Sequence, residues 1–179
     1  MKYRFKHIGL TLLLLTSMST NSVIAEEIRN ASEFFDETFG DLSEEAAQAQ
    51  DEGKIGVLLM FETDDCPWCK RMKETVLNRA RVQDRYHQYF RIISLNTEGE
   101  TLITGFDGAE IIEKDFALKY NRIRATPVFV FFDTQGNLLT RYTGAVKDID
   151  EFLLLSTFVV DGHYKDERFN VYKRQKQSS

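Results

Sequence analysis

The chain is poor in the residues that staple or punctuate a fold: its 179 residues include two cysteines, two prolines and one tryptophan. Two cysteines cannot build the disulfide framework that many small secreted domains use in place of a large core. Cys66 and Cys69 lie three positions apart, so a bond between them closes too short a loop to restrain the unfolded chain usefully. Their value must be chemical. A zinc site would need four ligands. There is no third cysteine, and His87 and His163 fall in unrelated segments that read as surface or packing positions. An excess of positive charge is also lacking. The net charge of −5 argues against nucleic acid or an anionic membrane as partner. No internal repeat or low-complexity block occurs apart from a short polar tail, which excludes solenoids and arrays. What is present, 42% hydrophobic and 12% aromatic residues, suits one globular domain with a substantial core.

The N-terminus has the layout of a secretory signal peptide. Lys2, Arg4 and Lys6 precede an apolar run over residues 8–15, and Val23-Ile24-Ala25 supplies a cleavage site. The competing reading, a membrane anchor, fails on length. The run is far short of the roughly 20 residues that span a bilayer, and polar residues follow it at once. Residues 1–25 are therefore expected to be removed, leaving residues 26–179 with a charge of −8, no lasting membrane insertion and a periplasmic location.

Along the remainder, Asp41-Leu42-Ser43-Glu44 resembles a capping box opening a helix that runs to about Glu52 and stops at Gly53. Residues 55–61 are a continuous apolar run, the pattern of a strand buried on both faces. Helical spacing follows over 70–77 and 82–89, then a strand over 90–95. Residues 96–108 read as irregular, 111–120 as a helix, 128–132 and 138–142 as a hairpin around Asp133-Thr134-Gln135-Gly136-Asn137, and 147–160 as an apolar-faced helix. From about residue 161 a short extension carries Tyr164, Phe169 and Tyr172. Strands separated by helices predict parallel pairing, and the final hairpin adds an antiparallel pair. The expected class is α/β, with a central mixed sheet flanked by helices on both faces.

The one strong motif is Cys66-Pro67-Trp68-Cys69, placed where the buried strand meets a helix. Unpaired N–H groups and the helix dipole favour an anion at such a junction, so Cys66 is expected to be the nucleophilic thiolate and Cys69 the resolving thiol. Pro67 suits the first helical turn. Trp68 either tunes access and potential or simply pads the helix. Pro127, after Thr126 at the mouth of a strand, is expected to be cis, against the alternative of a trans proline opening an edge strand. Two thiolates alone leave a Cu(I) site open as a rival use.

The CPWC motif, Thr126-Pro127 about sixty residues later, and the hairpin, glycine and last helix beyond resemble the thioredoxin superfamily over roughly residues 42–160. Met60-Phe61-Glu62, Lys70-Arg71-Met72, Phe106-Asp107-Gly108, the run from Thr126 to Asp133 and the spaced C-terminal aromatics look closer to the periplasmic SoxW-type thioredoxins. The resemblance implies the thioredoxin fold and dithiol–disulfide exchange with client proteins that carry cysteines or disulfides. It also implies a groove lined by Thr126 and Pro127, and no cofactor beyond a redox-active Cys66–Cys69 disulfide. It further implies a buried acid six positions before the first cysteine, where this chain has Met60. Glu62 is the best candidate substitute if it points inward; otherwise Glu62, Asp64 and Asp65 are solvated loop carboxylates. Those three acids disfavour the Cys66 thiolate, whereas Lys70, Arg71 and the helix dipole favour it. A less stable reduced form makes a more reducing protein, so a reductase is expected, recharged by a membrane electron donor of the DsbD type. A disulfide oxidase or isomerase is the alternative within the class, and a copper-handling chaperone the alternative outside it.

Overall fold

The computed structural model describes residues 26–178; the signal-peptide reading of residues 1–25 lies outside them. Helix α1 (Leu42–Asp51) starts where the Asp41 carboxylate accepts the N–H groups of Ser43 and Glu44 at 2.9 and 3.0 Å. The Ser43 hydroxyl adds a third bond at 2.6 Å. These donors hold the Asp41 carboxyl below its ordinary value, the Ser43 hydroxyl contributing most. The helix ends at Gly53, whose φ of +69° is the left-handed conformation glycine adopts without steric cost.

Strand β1 (Gly56–Glu62) follows. Residues Val57 to Phe61 are fully buried, as the unbroken apolar run predicts. Helix α2 (Pro67–Met72) leaves from the end of β1 and continues as a wider π-helical turn, Lys73–Leu77. Helix α3 (Ala80–His87) leads to β2 (Phe90–Asn96). Two three-residue strands come next, β3 (Leu102–Thr104) and β4 (Glu110–Ile112), followed by α4 (Glu113–Asp115), which widens into a π-helical turn at Phe116–Tyr120. Strands β5 (Val128–Asp133) and β6 (Leu138–Thr143), then helices α5 (Ile149–Val160) and α6 (Phe169–Gln177), complete the order.

The main sheet has the order β2-β1-β5-β6, with β3 and β4 forming a separate two-stranded sheet. Two sequence expectations need correction. The segment 96–108 contains β3, which pairs antiparallel with β4 from Leu102↔Ile112 to Thr104↔Glu110. Residues 110–112 are therefore strand, and the helix expected over 111–120 starts at Glu113. Second, among the described strands only β1 and β2 pair in parallel; β1 and β5 run antiparallel, from Gly56↔Asp133 to Phe61↔Val128. The chain leaves β2 and enters β5 at the same end of the sheet. The β3–β4 hairpin and α4 therefore cover one face without carrying the chain to the other end, which a parallel connection requires.

Alternation along the strands sorts the core into two layers. Leu58, Met60, Phe90, Ile92, Phe129 and Phe131 face α2, α3, α5 and α6. Val57, Leu59, Phe61, Ile93, Val130 and Phe132 face α1 and the Phe116 turn. The C-terminal extension belongs to the first layer through Phe169 and Tyr172, both buried.

The outer edge of β2 is closed by the segment ahead of α1. Asp36 N–H donates to the Ile92 carbonyl at 2.8 Å, and its carboxylate accepts the Ile92 N–H at 2.7 Å. Buried Arg91 donates to Glu45 at 2.9 and 2.7 Å and to Asp36 at 3.4 Å, joining this segment to α1. Breaking a buried pair leaves an uncompensated charge and costs roughly 3–5 kcal/mol. Arg91→Met is expected to lower urea-unfolding stability by about that much. Adding Glu45→Leu should recover part of the loss, because the most buried of the carboxylates that Arg91 pairs with is then gone while Asp36 keeps the Ile92 N–H.

Candidate active site

Strand β1 ends at Glu62, and the turn after it delivers Cys66 to the start of α2. Cys66 caps that helix: its Sγ accepts the Cys69 N–H at 3.1 Å, the geometry that stabilises a thiolate once the bond is reduced. Pro67 occupies the first turn, where its missing N–H costs no hydrogen bond. Cys66 and Cys69 are joined by a disulfide of 2.05 Å and are 7% and 2% exposed, so Cys66 is the more accessible sulfur.

The Thr126–Pro127 peptide is cis, as expected. It precedes β5 immediately, and because Phe61 pairs with Val128, it lies alongside the turn that carries Cys66. Gly144, in the left-handed region at φ +99°, donates its N–H to the Pro127 carbonyl at 2.8 Å and anchors the loop after β6. Arg71 braces the same loop by donating to the carbonyls of Val146 and Lys147, both at 3.0 Å. Trp68 is 59% exposed, and the Arg71 guanidinium lies 5.9 Å from its ring centroid. Trp68 and Thr126 line one wall of a groove of about 730 Å³, together with Arg71, Tyr142, residues 144–147, Glu151 and Lys173.

On the other flank, a cleft of about 630 Å³ reaches both sulfurs and is lined by Glu62, Asp64, Lys70, Lys73, Ser94 and Glu113, among others. Glu62 points inward. Its side chain is 16% exposed, pairs with Lys73 Nζ at 2.7 Å and accepts the Ser94 hydroxyl at 2.6 Å. Met60, on the same face two residues earlier, is fully buried in the layer that holds the cysteines. Asp64 and Asp65 do not share the inward placement: both are exposed, and Asp64 accepts the Asn96 amide at 3.3 Å. The sequence reading missed Lys73 and Ser94. Ser94 did carry a signal, as the polar residue at a core-facing position after Phe90 and Ile92. So did Lys73, one helical turn beyond Cys69.

Among the described residues, no group of three or more His, Cys, Asp and Glu is arranged to hold a metal, and no helix is long and apolar enough to cross a membrane.

A family model described as a thioredoxin-like domain matches residues 42–159. The chain belongs to the thioredoxin-like domain family. It is a member whose CxxC pair, Cys66 and Cys69, forms a disulfide of the oxidoreductase type. A thioredoxin-fold protein from Helicobacter pylori is similar in structure, with TM-score 0.64 at 20% identity, covering 83% of this chain and 94% of that one. A thioredoxin from Thermus thermophilus has TM-score 0.53 at 25% identity over 69% and 88% of the two chains. The oxidised C-terminal domain of DsbD from Neisseria meningitidis has TM-score 0.51 at 20% identity over 65% and 90%. No curated protein sequence matches significantly.

Hydrogen bonds from a charged donor contribute about 1.5–3 kcal/mol each, so Arg71 should fix the loop over 144–147. In Arg71→Met, hydrogen exchange of the amides of Ala145 to Asp148 is expected to accelerate about tenfold or more, the equivalent of about 1.4 kcal/mol, with the β1 amides unchanged.

Proposed function

We propose that the protein is a periplasmic, SoxW-type thioredoxin-like reductase that keeps client cysteines reduced. The observation that carries this reading is the pairing of the helix-capping Cys66, the less buried of the two cysteines, with an inward carboxylate, Glu62, in the cleft that reaches Cys69. In the reduced protein the Cys66 thiolate attacks one sulfur of a client disulfide, and the client S–S bond breaks as a mixed disulfide forms. Glu62 takes the proton of Cys69, and the Cys69 thiolate then attacks Cys66 Sγ. The Cys66–Cys69 bond forms and the second client sulfur leaves as thiolate. The client gains two electrons and the CPWC pair loses two. The disulfide is the only redox group required.

The signal-peptide layout of residues 1–25 supports export. An exported protein has no access to a cytosolic reductase, so a membrane electron donor of the DsbD type is assigned the step that returns Cys66 and Cys69 to thiols. Four carboxylates line this cleft, Glu62, Asp64, Glu74 and Glu113, against two lysines, Lys70 and Lys73; this balance disfavours accumulation of the Cys66 thiolate and so favours the reducing direction.

Cys69→Ser should trap clients as mixed disulfides through Cys66, visible as reductant-sensitive adducts on non-reducing gels, whereas Cys66→Ser should trap few. Equal trapping by both would overturn the assignment of roles. Glu62→Gln, which can keep its bond to Ser94, should slow release from the mixed disulfide by about 100-fold near neutral pH, at the lower end of what a positioned base contributes. The deficit should shrink as the pH rises and the resolving thiol ionises increasingly without help.

A further inference from the structure

The two flanks of the disulfide carry opposite charge. In the cleft behind Cys69, Glu62, Asp64, Glu74 and Glu113 face two lysines, Lys70 and Lys73. In the groove beside Trp68 and Thr126 the balance reverses: Arg71, Lys147 and Lys173 face one carboxylate, Glu151. Glu151 is buried and already engaged. It accepts the Tyr142 hydroxyl at 3.1 Å and the Lys147 N–H at 3.3 Å, and it pairs with Lys173 at 2.8 Å. Burial and this carboxylate keep the Tyr142 phenol well above its ordinary value, so it stays neutral. The Lys147 side chain is 82% exposed, with the Asp148 carboxylate 3.8 Å from its ammonium. Arg71 donates from both Nη atoms to backbone carbonyls, which bring no formal charge to offset its own.

Lys173 comes from α6, beyond the stretch that matches the family model. Phe169 and Tyr172 seat that helix on Phe158 of α5 at ring-centroid distances of 5.5 and 5.4 Å, which fixes Lys173 at the groove wall. The C-terminal extension therefore completes a cationic wall on a protein whose net charge is negative.

From this we propose that the groove formed by Trp68, Thr126, Arg71, Lys147 and Lys173 selects clients whose cysteine is flanked by acidic residues. The aromatic ring of Trp68 supplies contact area; with Lys173 balancing Glu151, Arg71 and Lys147 supply the surplus positive charge, which acts on encounter rate and register. This specificity rests on the oxidoreductase reading above.

The test uses the reduced full domain and three substrates: two disulfide-bridged peptides of equal length, with Asp/Glu or Lys around the cysteine, and neutral 2-hydroxyethyl disulfide. The acidic peptide should be reduced about tenfold faster than the basic one at low ionic strength, and the advantage should shrink at 0.5 M salt, where the Debye length falls below about 5 Å. Lys147→Gln, at an exposed position, should lower the ratio of acidic-peptide to neutral-disulfide rates by about threefold or more, as expected for loss of one rim charge, and Lys147→Glu, which reverses that charge, should lower it further. Equal rates for the two peptides, with the neutral disulfide still reduced, would overturn the acidic-client inference and leave the reductase reading standing. Failure to reduce any of the three would overturn both.

Discussion

The rest of the molecule depends on the burial of β1 on both faces. A strand with Val57, Leu59 and Phe61 on one side and Leu58 and Met60 on the other cannot sit at a surface. It needs a strand on each edge and a helical layer above and below, and the chain supplies β2, β5 and the two groups of helices. The same burial fixes the position of the chemistry. The strand is rigid up to Glu62, so the next turn presents Cys66 at a set height over the sheet end, beside the cis Thr126–Pro127 peptide that opens β5.

Around that point the protein keeps an inward carboxylate, to which the proposed function assigns the proton transfer, but not at Met60. Met60 is packed into the hydrophobic layer, and the carboxylate appears one pleat further along the same face, at Glu62, closer to the sheet end and the cleft. Burying a carboxylate there is tolerable because Lys73 and Ser94 both bind it. Lys73 sits on the helix that carries the cysteines and Ser94 on the neighbouring strand, so the network ties α2 to the sheet at the redox centre. The opposite flank is built from different parts: the braced loop after β6, and the C-terminal helix seated on α5. A charge difference across a single disulfide follows from these two separate origins.

The features legible in the sequence were those encoded locally. The unbroken run of residues 55–61, the Asp41 cap, Gly53, the CPWC pair and the cis Pro127 each follow from one residue or a short window. Strand direction does not. The alternation of strand and helical patterns is the same whether the chain between β2 and β5 crosses the sheet or returns at one end, so β5 was read as parallel although it runs antiparallel. The β3–β4 hairpin escaped notice because three-residue strands carry no periodicity, and their surrounding glycines resemble a loop. At the site, Glu62 was identified by position, but its partners Lys73 and Ser94 are separated from it by 11 and 32 residues. Only the packed sheet brings them together.

The proposed function requires Cys66 and Cys69 to form a reversible couple poised to donate electrons. Equilibrating the protein against glutathione redox buffers at pH 7, with acid quenching and mass-resolved thiol labelling, tests it most directly. The expected result is a single two-electron transition with a midpoint more reducing than about −180 mV, the poise of disulfide isomerases. A midpoint on the oxidising side of that value would contradict a reductase, and a disulfide that does not titrate would contradict the redox assignment altogether.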